Sequence, residues 1–131
     1  MGNGDPKWMT AKRNVDPSHT FAANAQEAID RFTFNEDSGY FGVKSSRGPV
    51  RHLESNDPVE QAHQFFATVT KGGCLSDLDG NKGWRVDLKD GTVVTLRDKS
   101  ADGSPSLMLS ISRVYEGRVK SQKIHFVKGD K

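Results

Sequence analysis

The sequence predicts an α+β domain in which N-terminal helices pack on one face of a four- to five-stranded antiparallel sheet. Three observations predict it. Four runs in the second half alternate apolar and polar side chains, an Asp-Gly pair separates two of them, and an earlier stretch repeats apolar residues at helical spacing. Strand side chains point alternately to opposite faces, so the four runs can share one apolar face, and the helices can cover it.

Residues 1–19 carry Asn, Asp, Pro and Lys without periodicity and read as a flexible arm, leaving 20–131 as a single domain. A first helix is expected from Ala25 to Thr33, with Asn24 and Glu27 as a capping box and Ala25, Ala28, Ile29 and Phe32 as its stripe. Thr33-Phe34 and the run from Tyr40 to Val43 are candidate short strands around Asp37-Ser38-Gly39. The second helix has sharper punctuation. Asp57 caps it, Pro58 takes the first helical position, Glu60 lies in the first turn and Gly72-Gly73 ends it. Its stripe is Val59, Ala62, Phe65, Phe66 and Val69, flanked by His63.

The sheet begins at Cys74 to Leu78 and turns through Asp79-Gly80-Asn81. Residues 83–88 set Trp84, Val86 and Leu88 against Arg85 and Asp87, and residues 92–97 set Val94 and Leu96 against Val93, Thr95 and Arg97. Asp90-Gly91 between them is a hairpin signal. After a turn at Asp102-Gly103-Ser104-Pro105, residues 106–112 set Leu107, Leu109 and Ile111 against Ser106, Met108, Ser110 and Ser112. Glu116-Gly117 marks another turn before the final run, where Ile124 and Phe126 oppose Lys123 and His125.

Composition narrows the function classes. At 131 residues the chain is one ordinary domain, and its single cysteine, Cys74, excludes an internal disulfide and a cysteine-rich metal site. No apolar run approaches the ~18 residues of a membrane span, and the opening residues lack a signal-peptide pattern, so a soluble domain is expected. Net charge is only +2, but 11 Lys/Arg face 6 Asp/Glu from Lys82 onward, against 8 and 11 before it. A basic second half suits a phosphate-bearing partner, and it equally suits an uneven solvated surface.

The polar face of the expected sheet collects Arg85, Arg97, Lys123, His125 and several hydroxyls. Metal-independent RNA cleavage needs those residue types. Its nucleophile is the neighbouring 2′-hydroxyl, so the protein must remove one proton, supply another and hold the extra phosphate charge. Histidine suits the proton steps, arginine's planar fork suits the phosphate, and a hydroxyl completes the cradle. His125 is the expected proton-transfer group, Arg85, Arg97 and Lys123 the cations, and Ser110 the hydroxyl donor. His52, following Arg47 and Arg51 in an expected loop, is the better second histidine, ahead of His63 and His19. Scattered aspartates at 77, 79, 87 and 90 are explained by turn chemistry better than by a metal ion, and no cofactor or metal is expected. Trp84 belongs to the core by its alternation, or to a base-stacking platform if exposed at an edge.

The runs from Gly80 to Val86, from Asp90 to Arg97, from Ser100 to Pro105 and from Lys123 to Phe126 resemble the C-terminal toxin domains of contact-dependent growth inhibition proteins and related polymorphic toxins. The α+β layout is similar to the barnase, EndoU, colicin E-type, colicin D and RelE nuclease superfold. The resemblance covers residues 58–127. It implies a ribonuclease toxin delivered from a producing cell into the cytoplasm of a target bacterium, where it cleaves RNA, most often tRNA. A cognate immunity protein, and in some members a translation elongation factor, would be its partners. Carried over by position, His125 is catalytic, with Arg97 and Lys82 or Arg85 near the phosphate. The alternative is a non-catalytic RNA- or protein-binding module that uses the same basic face. A deoxyribonuclease would want clustered metal-binding carboxylates or histidines, which the sequence does not display.

Overall fold

The computed structural model describes residues 5–44, 50–78, 83–97 and 104–129. Within them lie two helices, α1 (Phe21–Arg31) and α2 (Pro58–Val69). Nine strands accompany them: β1 (Phe34–Asn35), β2 (Tyr40–Phe41), β3 (Val43–Lys44), β4 (Val50–Ser55), β5 (Cys74–Asp77), β6 (Gly83–Asp87), β7 (Val93–Arg97), β8 (Ser106–Ser110) and β9 (Gln122–Lys128). β1 and β2 form a two-stranded ribbon, and the other seven form one sheet in the order β3-β4-β9-β8-β7-β6-β5.

The fold is α+β, but the expected four- to five-stranded antiparallel sheet under two helices is wrong. The sheet is mixed, because β4 runs parallel to β9 in the register Val50↔Lys123 through Ser55↔Lys128. The remaining neighbours pair antiparallel. The extra strands come from residues 43–55, where β3 and β4 widen the sheet beyond β9. The sequence hides β4 for a physical reason. Its core-facing positions are Arg51 and Leu53, so one half of the alternation is a cation. Arg51 is nevertheless buried, its guanidinium 3.8 Å from the centroid of the Tyr40 ring and Nη1 donating to the Val50 carbonyl. Cation–π contact and a hydrogen bond together make that burial tolerable.

The helices do not share the covering role equally. α2 lies on the apolar face across β4, β9, β8 and β7, while α1 packs chiefly against α2. Between α2 and the sheet, Ala62, Phe65, Phe66 and Val69 meet Leu53, Leu107, Leu109, Ile124, Phe126, Val94, Leu96 and Val86, all buried. Val59, expected in the stripe, is 46% exposed at the first turn. α2 begins as expected, with Glu60 N–H donating to the Asp57 side chain at 3.2 Å.

α1 starts four residues earlier than the sequence suggests. Thr20 is its cap, and Asn24 is buried inside it. Asn24 Nδ2 donates to the carbonyls of Val69 (3.1 Å) and Lys71 (3.0 Å), while its Oδ1 accepts from His19. One amide thus ties α1 to the otherwise unpaired carbonyls at the end of α2.

Two other polar devices position the sheet. Gln122, buried at the start of β9, accepts from Phe41 N–H and donates to the carbonyls of Gly39 and Lys120, clipping the β1–β2 ribbon to the sheet. Gly42, at φ +72°, lets the chain turn from β2 into β3 with its Cα directly against the His52 carbonyl. The Asp90-Gly91 hairpin forms where expected, with Gly91 at φ +93° and Asp90 accepting from both Thr92 N–H and its hydroxyl.

Residues 5–19, read from sequence as an arm, lie against the domain. Lys12 bridges to Cys74 on β5, Thr10 Oγ1 donates to the Ala67 carbonyl, and Ser18 N–H donates to Gly72. Trp8 stacks on His63 with ring centroids 4.1 Å apart and meets Trp84 edge-on at 5.4 Å.

Candidate functional site

β4 and β9 point His52 and His125 out of the same face, because residues paired across a ladder share a face. Their rings lie 5.9 Å apart between centroids, edge to face. The ladder continues through Ser106 on β8 to Arg97 on β7. His52, His125, Ser106 and Arg97 therefore form one row across four adjacent strands. Both imidazoles are half-buried, Ser106 is buried and Arg97 is exposed. Arg97 stands two strands from His125, about 10 Å between backbones at the usual strand spacing, which an arginine side chain can largely span.

This is the face opposite α2. Among the described residues it stays open, with Glu54, Ser76, Arg85, Arg97, Met108 and Ser110 all exposed on it. A second row lies two residues along the strands, about 6.7 Å away. It runs Val50, Lys123, Met108, Thr95, Arg85 and Ser76. Lys123 thus stands one pleat from His125 along the same strand. Glu54 stands one pleat from His52 on the other side.

The remaining expected site residues fall elsewhere. Ser110 lies four residues beyond Ser106 on β8, about 13 Å along the strand, and is outside the histidine row. Ser106 is the hydroxyl that pairing delivers beside His125, although both serines show the same alternation in sequence. Arg85 is three strands and one pleat from His125. Its guanidinium is engaged by Asp87, Nε to Oδ1 at 2.8 Å and Nη2 to Oδ2 at 3.2 Å. Those hydrogen bonds and the charge of Asp87 hold Arg85 further toward its protonated form. Lys82 lies outside the described residues.

The other histidines and Trp84 serve packing. His63 is stacked on Trp8, His19 donates to Asn24, and Trp84 sits half-buried on the core side rather than on the open face. Of the scattered aspartates, Asp77 binds Arg13, Asp87 binds Arg85 and Asp90 fastens the hairpin, while Asp79 is outside the described residues. Among the described residues, no three His, Cys, Asp or Glu side chains gather into a metal-ligand cluster. No described helix is long and apolar enough to cross a membrane.

Sequence reasoning missed the pairing of His52 with His125, since it placed His52 in a loop. A usable signal was present: Val50, His52 and Glu54 alternate with Arg51 and Leu53. Chemically, the row offers two nitrogen bases side by side, a hydroxyl, and cations on two flanks. No protein-family model, curated protein or solved structure matches the chain significantly.

Proposed function

We propose that this domain is a metal-independent endoribonuclease in which His52 and His125 are the proton-transfer pair. The observation that carries the reading is their alignment at the same register on adjacent strands of an open face, with Arg97 and Lys123 on either side. One imidazole takes the 2′-hydroxyl proton as that oxygen attacks phosphorus. The other donates a proton to the 5′-oxygen as the phosphorus–oxygen bond breaks. The products are a 2′,3′-cyclic phosphate and a 5′-hydroxyl. Arg97 and Lys123 hold the charge that builds on the non-bridging oxygens. Arg85, committed to Asp87, contributes to the outer part of the face instead.

The resemblance to polymorphic toxin domains supports tRNA as the substrate, delivery into a target bacterium as the setting, and inhibition by an immunity protein that covers this face. A presenting elongation factor fits a domain whose net charge is only +2. The test is incubation of the protein with bacterial tRNA in EDTA, with and without cell extract, followed by end-group analysis. Cyclic phosphate ends that disappear in His125→Ala are expected. His52→Ala is expected to lower the rate by about 10²- to 10⁴-fold, the usual worth of one acid–base group. RNA bound but uncut by the wild-type protein under every condition would leave a binding module in its place.

A further inference from the structure

We infer that the second row of the open face is a nucleotide subsite, with Met108 supporting the base and Lys123 the phosphate, and that the ligand is unpaired RNA. This deepens the nuclease reading by naming the form of its substrate. Met108 is an apolar side chain 43% exposed among polar neighbours on its own and the adjoining strands, and Val43, 58% exposed, lies on the same face at the register of His52. Its ladder neighbours are Lys123 and Thr95, and Ser106 and Ser110 flank it along its own strand. A thioether is polarizable and favours the face or edge of an aromatic ring. Lys123 is a point charge with three donors.

The spacing argues for a single strand. Rows on a pleated sheet repeat every second residue, about 6.7 Å, which is close to the advance of one nucleotide in an extended strand. A phosphate over His52 and His125 would put the adjoining phosphate at Lys123, with the intervening base free to lie on Met108. A duplex keeps its bases stacked inside, where a flat sheet face cannot reach them, whereas unpaired bases can splay onto a side-chain platform.

The test uses a short oligoribonucleotide with a single 2′-deoxy sugar at the cleavage position, so that binding is read without reaction. Its affinity is measured by fluorescence anisotropy for wild type, Met108→Ala, Met108→Leu and Lys123→Gln, each first checked for an unchanged melting profile. Variants of the probe carry an abasic site at the adjoining nucleotide, or fold the same sequence into a hairpin stem. Met108→Ala and the abasic probe are each expected to weaken binding by about fivefold to tenfold, with no further loss on combining them. Met108→Leu should retain affinity, and the stem should bind worse than the open strand. Equal affinity for stem and strand, or an abasic loss unchanged in Met108→Ala, would overturn the subsite. Cleavage of the all-ribose probe is scored separately. A protein that shows this binding pattern but never cuts retains the subsite and refutes the nuclease.

Discussion

At the scale of single residues, the site and the core separate cleanly. His52 and His125 are half-buried on the open face, so under the proposed reading replacing either should slow cleavage far more than it destabilises the fold. Asn24 is the opposite case. Its side chain answers two carbonyls and one histidine inside the fold, so Asn24→Ala is expected to cost about 2 kcal/mol in urea unfolding. Ser110→Ala, on the exposed face, should stay within about 0.5 kcal/mol. Glu27 supplies a pH signature. Its hydrogen bond to Lys71, helped by the charges of Lys71 and Arg31, holds the carboxyl below its ordinary 4.5. A carboxyl lowered on folding contributes stability above the unfolded-state value and loses it as pH falls through the folded value. Wild type and Glu27→Gln should therefore differ slightly at neutral pH and converge in acid, which paired thermal melts would detect.

At the scale of elements, legibility followed the chemistry of the buried face. α2 was readable because Asp57, Pro58 and an aromatic stripe all agree. β6, β7, β8 and β9 were readable because nearly every inward residue is Val, Leu, Ile, Phe or Trp, and Asp90-Gly91 marked their hairpin. β4 was not, since Arg51 occupies an inward position and its guanidinium lies over Tyr40, a partner that appears only after folding. α1 was misplaced because Asn24 has the residue type of a cap and the burial of a core group. Half of the candidate row was legible in the alternation of β7 and β9. Its completion by His52 and Ser106 depended on strand order, which no local pattern encodes. One element-scale prediction concerns Gly42. A methyl there meets the His52 carbonyl and the backbone is left-handed, so Gly42→Ala should destabilise by more than about 1 kcal/mol. The surviving folded fraction should cleave more slowly than its population explains, because β4 carries His52 on the strand that must shift.

For the whole molecule, charge and topology set the behaviour. With few cations on the open face and a small net charge, RNA affinity should be modest and fall only shallowly with salt. Lys123→Gln should reduce the slope of log affinity against log salt by about one, whereas Arg85→Gln should change it less, since Asp87 already neutralises that guanidinium. Parallel pairing of β4 with β9 joins segments near residues 50 and 122. Contacts of such long sequence separation are formed late and slowly.

That pairing also governs when the two imidazoles meet. His52 emerges from the ribosome many residues before His125, and until β9 slots between β4 and β8 the two imidazoles belong to different parts of an unfinished chain. Interrupted synthesis or proteolytic loss of the last strand would each leave a product that carries His52 without His125, and no row. The His52–His125 row is therefore a property of the finished sheet, absent from every fragment that lacks β9.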